Sequence, residues 1–197
     1  RRFLATGKSI GCLGTTLGAV AFAAVNEDIA WIGKFNMAAT EMDVLNFSNG
    51  QVLKSLSDGT INNVDTQGYI FLKKQIGIDG SYFDDSHTAV AITSDYAYIE
   101  NNRTINKATR GLRSFLLPQL ASRILVNADG TLTEDLIAFY ETLCSRALEV
   151  MQRNSEISAF SIVINPAQNV LSTSELIINV SIVPVGVART ITVNIGF

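Results

Sequence analysis

Few residues in this chain have types and spacing that could do chemistry. His87 is the only histidine. It stands in Ile76–Val90 with Asp79, Asp84 and Asp85, the densest polar cluster of the chain. A Ser-His-Asp or Cys-His relay would have to use this imidazole. No serine occupies a Gly-x-Ser-x-Gly elbow, the strained turn that presents a nucleophile. Cys144 lies in a helical pattern among apolar neighbours, poor surroundings for a thiolate. A calcium loop needs oxygens at alternate positions, a fixed glycine and a closing glutamate, and the 79–87 spacing does not supply them. A transition-metal site needs more than one imidazole beside its carboxylates. The cluster therefore reads as a solvated turn with aspartate caps. Gly7-Lys8-Ser9 ends like a phosphate-binding loop, but Arg2 stands where the first glycine must wrap the phosphate. Glu134-Asp135 is a pair of acids at a helix start, where the helix dipole favours them. The residues point away from an enzyme: no catalytic residue, no metal ligand and no cofactor site is expected.

The elements that would carry these residues follow from periodicity. Ile10 to Val25 is uncharged, with Gly7, Gly11, Gly14 and Gly18 on one face and apolar residues nearly all round, so a buried helix with a close-packing glycine seam is expected. Its 16 residues fall short of the roughly 20 that span a bilayer, so no membrane insertion is expected. Asn26–Met42 is irregular, with Trp31, Ile32 and Phe35 as anchors. Leu45 to Leu56 suggests a short helix stopped at Asp58-Gly59, and Gly68–Gln75 a strand, with 76–90 as loop. A helix from Asp95 to about Leu117 buries Ile105, Ala108, Leu112, Phe115 and Leu116. Its other side carries Arg103, Lys107, Arg110 and Arg113, a solvated face or one that meets an acidic neighbour. Thr131 and Glu134 form a capping box that opens a second long helix through Arg153. Leu132, Leu136, Tyr140, Leu143, Ala147 and Val150 would line its buried side. Ile157–Asn165 and Glu175–Val183 are strands. Strands that follow helices, rather than alternating with them, indicate an α+β fold with helices packed on a mixed or antiparallel sheet.

Charged residues make up 17% of the chain against roughly 25% in a typical soluble domain, while the hydrophobic fraction of 47% is ordinary. Such a surface suits a subunit covered by neighbours, because obligate interfaces are more apolar than free surface. A net charge of −3 gives no basis for binding nucleic acid. Cys12 and Cys144, far apart in sequence and both in apolar segments, read as buried free thiols. The chain starts Arg1-Arg2-Phe3 without Met, which reads as a piece whose N-terminal part is absent.

The last residues are the most patterned. Val187, Arg189, Ile191, Val193, Ile195 and Phe197 alternate with Ala188, Thr190, Thr192 and Asn194, the pattern of a strand with one buried face. From Ile157 to Phe197 only Glu175 and Arg189 are charged. Strand edges are normally protected by charge or proline, and here that protection is thin. Two readings stand: an interior strand of the chain's own sheet, or a strand added to a neighbouring chain.

Four stretches, Asn26–Asn36, Gly68–Leu72, Ser94–Arg103 and Pro184–Arg189 with the strand after it, together resemble the C-terminal half of contractile tail sheath proteins of phages and bacterial contractile injection systems. The resemblance implies a structural subunit that polymerises helically around an inner tube and contracts to drive the tube through a target envelope. It implies other copies of the chain, the inner tail tube protein, and baseplate and tail terminator proteins as partners. Its place would be a virion tail or an assembled particle in the bacterial cytoplasm. Residues 1–186 would be the core domain and 187–197 a β-arm exchanged between subunits. The interface would comprise Val187, Arg189, Ile191, Val193, Ile195 and Phe197 of the arm, with Ile178, Val180, Ile182, Phe160 and Ile162 of the receiving strands. Pro184 and Gly186 would be the hinge. The alternative is a soluble α+β binding module with a ligand or partner loop at 79–87. A third reading, an enzyme acting through Asp84, Asp85 and His87, has only those three residues behind it.

Overall fold

The computed structural model describes residues 2–4, 9–37 and 42–196; Gly7, Lys8 and Phe197, singled out above, lie outside them. The chain forms two compact units, Arg1–Asn102 with Val187–Phe197, and Arg103–Gly186.

The first unit begins with β1 (Arg2–Leu4), β2 (Ser9–Ile10), α1 (Cys12–Phe22) and β3 (Met42–Leu45), with β1 central in an antiparallel three-stranded sheet. A 3-10 turn at Leu53–Ser55 precedes α2 (Asp58–Thr66). The expected stop at Asp58-Gly59 is corrected: a helix starts there. Ser57 caps it by accepting from the Thr60 N–H, and Asp58 sits in the first turn, where the dipole favours a carboxylate. β4 (Leu72–Gln75) and β5 (Ile78–Phe83) form an antiparallel hairpin, so half of the expected 76–90 loop is strand. Gly80, at φ +126°, makes that strand possible: a Cβ there would collide with the Asn36 amide, which donates to the Asp79 carbonyl and accepts from the Ser81 N–H. The core holds Ala19, Ile29, Phe35, Leu53, Phe71, Leu72 and Phe83.

The expectation that α1 is buried is overturned. Ala19 reaches the core, but Leu13 and Leu17 are 75% and 62% exposed, and nothing approaches the Cβ positions of Gly11, Gly14 or Gly18. This unit covers only one face of a helix that is apolar nearly all round. Of the three expected anchors, Phe35 is buried, while Trp31 and Ile32 are exposed.

The second unit takes most of α3 (Ile99–Leu116), then α4 (Glu134–Arg153), β6 (Ile157–Val163), α5 (Val170–Thr173) and β7 (Asn179–Pro184). Ala108 of α3, Leu148 and Met151 of α4 and Ile157 of β6 form a buried centre, against which Phe160, Ile162, Val180 and Ile182 pack. Leu132, Tyr140 and Ile164 form a second centre, with Ile178 beside it. Phe115 of α3 and Val150 of α4, expected inside, are exposed; on α4 the buried stripe runs instead through Tyr140, Cys144, Ala147, Leu148 and Met151. The capping box is also corrected: the Thr131 hydroxyl donates to Asp129, and the N-cap is Thr133. Lys107 pairs with Glu156 at 2.6 Å, so the basic side of α3 is not wholly solvated. β6 and β7 are antiparallel, from Ile157 opposite Pro184 to Val163 opposite Asn179. With helices segregated from small antiparallel sheets, the fold is α+β.

Candidate functional site

Residues 79–87 were expected as a solvated turn. Asp79 is exposed, but from Ser81 onward the stretch turns inward. Ser81, Ser86 and His87 are buried, and Asp84 is held by the Phe71 N–H at 3.0 Å. The other Asp84 oxygen is buried without a hydrogen-bond partner. Burial pushes this carboxyl up to about 7, against the Phe71 hydrogen bond.

The partner that makes an inward turn tolerable comes from the far end of the chain. Arg189 places its Nε 2.8 Å from Asp85 Oδ1 and its Nη2 3.1 Å from Asp28 Oδ2. The same Nη2 donates to Glu100 Oε1 and, at 3.3 Å, to Ser86 Oγ. The guanidinium carbon lies 3.5 Å from the Tyr98 ring centroid, a cation–π contact. Ser86 Oγ in turn donates to Glu100 Oε2 at 2.6 Å, and Asp28 accepts from the Ala30 N–H. Asp28 stands in the turn after α1, Asp85 after β5, and Glu100 in the first turn of α3. Three remote carboxylates therefore share one cation, all within the first unit. Glu100 and Asp28 are almost fully enclosed, at 3% and 6% exposure. Burial alone lowers the Arg189 pKa. The bonds and charges of Asp85 and Glu100 more than reverse this, so the group stands above its ordinary value. Burial raises Asp28 above the ordinary carboxylate range.

His87 Nε2 lies 3.0 Å from Asp65 Oδ1 and 3.6 Å from Asp85 Oδ2, and its ring stacks on Tyr98. Asp65, Asp85 and His87 thus bring three ligand-type atoms within 4.8 Å. The Arg189 cation on the other oxygen of Asp85 opposes a second cation at that point. The arrangement suits a charge-compensated clasp. Cys144 is buried, which raises its thiol pKa; Cys12, expected buried as well, is half-buried, packed against the first unit's core with its Sγ 3.7 Å from the Thr16 hydroxyl.

The other residues named for the interface fall in two groups. Phe160, Ile162, Ile178, Val180 and Ile182 are half-buried against the helices of their own unit. Val187 is half-buried, whereas Ile191, Val193 and Ile195 stand 81%, 74% and 83% exposed. Residues 187–196 form no strand among the described residues, and β6 and β7 make a two-stranded sheet without them. The alternating pattern has no strand partner among the described residues. Pro184 ends β7, and nothing stands within 4 Å of a Cβ added at Gly186. Sequence reasoning did not find Asp28, Tyr98 and Glu100 as partners of Arg189. The one available signal was a lone cation in an otherwise uncharged stretch.

Among solved structures, the chain is similar to one in the cryo-EM structure of the anti-feeding prophage (AFP) baseplate, with a TM-score of 0.55 and 15% identity, over 78% of this chain and 44% of that one. It is also similar to a chain in the contracted PVC sheath complex of an extracellular contractile injection system, with a TM-score of 0.57 and 12% identity, over 72% of this chain and 40% of that one. At these identities the likeness shows a shared fold, and this chain spans less than half of either structure's chain. The comparison with curated proteins found no match. Residues 95–197, just over half of the chain, match the family model described as DUF2586, C-terminal domain, and the chain belongs to the DUF2586 family.

Proposed function

We propose that this chain is a structural subunit of a contractile injection system, of the sheath type. It would polymerise helically around an inner tube, and its terminal segment would pair with a neighbouring copy. The observation that carries this reading is the exposed, alternating apolar run Ile191, Val193, Ile195, which has no strand partner among the described residues. β6 and β7 offer what it lacks. They pair only with each other among the described residues, leaving an open edge on each. The faces match as well. Phe160, Ile162, Val180 and Ile182 point to the helices, while Ala159, Ser161 and Ser181 point outward. An added strand with Ile191, Val193 and Ile195 inward would extend the apolar layer. Its Thr190, Thr192 and Asn194 would then continue the small polar face. The exposed α1 face and the shared fold with AFP baseplate and PVC sheath chains support the same reading. The inner tube and the baseplate are the further partners of such a subunit, and Pro184–Gly186 its flexible link.

Negative-stain electron microscopy of the intact protein and of a version ending at Arg189 tests this. Hollow helical tubes from the intact protein alone support the lattice. Discrete particles in both samples overturn it.

A further inference from the structure

We propose that Arg189 is the fixed end of the arm: it fastens the root of the terminal segment to its own first unit, and only residues 190–197 pass to a neighbour. The inference rests on the arm-exchange reading above and narrows the arm from Val187 to Thr190. Two observations meet at Arg189. On one side the guanidinium joins Asp28, Asp85 and Glu100 and lies over Tyr98. Withdrawing it would leave three carboxylates crowded in a largely enclosed space with no cation among them. The guanidinium is itself 27% exposed, but the carboxylates it would abandon are 3–14% exposed, and leaving buried charges uncompensated is costly. On the other side, residues 190–196 make no hydrogen bond or ion pair with the described residues, and their apolar members are exposed. The chain changes from held to unheld across one peptide bond.

The remaining length fits. Residues 190–197 are eight positions, against seven in β6 and six in β7. A fixed root also sets register. A slip of one residue would turn Ile191, Val193 and Ile195 to the outer face, and the distance from Arg189 opposes such a slip. Pro184 and Gly186 then connect the second unit to the clasp, and the strand that moves begins beyond it.

Limited trypsin digestion of the unassembled chain reads the clasp, because trypsin must draw the arginine side chain into its own acidic pocket. The exposed Arg123–Ile124 bond of the second unit is the control. The Arg189–Thr190 bond should be cut about tenfold more slowly than the control, or slower still, since cleavage awaits local opening. Arg189→Lys keeps a trypsin site but loses the fork that spans the carboxylates, and Glu100→Gln removes one partner. Both should bring the rate at 189 towards that at 123, while elastase trims beyond Thr190 at the same rate in all three proteins. Equal rates at 189 and 123 in the unaltered chain would overturn the clasp, as would resistance that survives both substitutions. Neither readout requires polymers. Absence of tubes with an intact clasp would therefore count against the lattice alone.

Discussion

Arg189 and Glu100 stand 89 positions apart, yet the guanidinium Nη2 of the first donates to the carboxylate of the second. Glu100 is almost fully enclosed at the start of α3, and the returning terminal segment brings it a cation. The first unit is therefore not complete at residue 102. It needs a side chain that the sequence supplies 87 residues after that boundary.

Removing that side chain should destabilise the first unit. Arg189→Ala is expected to lose about 1–3 kcal/mol in urea unfolding, below the range for a fully buried pair because the Arg189 side chain is 27% exposed and partly screened by water. Adding Glu100→Gln to Arg189→Ala should recover part of the loss, because it removes an uncompensated charge. Unchanged stability in the single variant would contradict the clasp.

Asp84 makes stability depend on pH. Its carboxyl stands at about 7 in the folded chain because burial disfavours the charge, against an ordinary value of 3.8. Between those values the folded state holds a proton that the unfolded state has lost, so this group makes stability fall as pH rises from about 4 to about 7. Asp84→Asn keeps an oxygen for the Phe71 N–H and cannot ionise. It should be more stable than the unaltered chain at pH 8 and similar to it at pH 4, by denaturant titration at both values. Parallel curves across that range would be the contrary result.

Gly80 should tolerate no side chain. Its φ of +126° and the crowding by Asn36 both act against a Cβ. Gly80→Ala is expected to cost about 1–3 kcal/mol in thermal or urea unfolding. A neutral result would mean that the β4–β5 hairpin accepts a different backbone path.

Leu148 tests the second unit. It is fully buried between α3, α4 and β6. Leu148→Ala should cost about 2–5 kcal/mol through lost contacts and the cavity left behind. If the variant unfolds at the same denaturant concentration as the parent, this packing is not what holds the unit.

Elements whose pattern is local and complete were legible in the sequence. β6 and β7 alternate over a half-buried face, and α4 carries a long apolar stripe. α2 was missed because Asp58-Gly59 reads as a stop, while the cap that starts the helix is the single Ser57 hydroxyl. β5 was missed because Asp79 and Gly80 break its alternation. The 79–87 cluster was read as solvated because aspartates and a histidine prefer water when nothing pairs them. What pairs Asp85 is 104 positions away, a distance that no local pattern reports. The terminal alternation was plain in the sequence, but a period of two says only that a strand partner is wanted. It does not say which chain provides one.

Whether residues 190–197 pair with another copy is read by a photo-crosslinker placed at Thr192. Assembled particles made from a mixture of isotopically light chains carrying the crosslinker and heavy chains lacking it should give light–heavy adducts. Those adducts should map to Ile157–Val163 or Asn179–Pro184. Adducts confined to a single chain, or to a protein other than this one, would contradict strand exchange between copies.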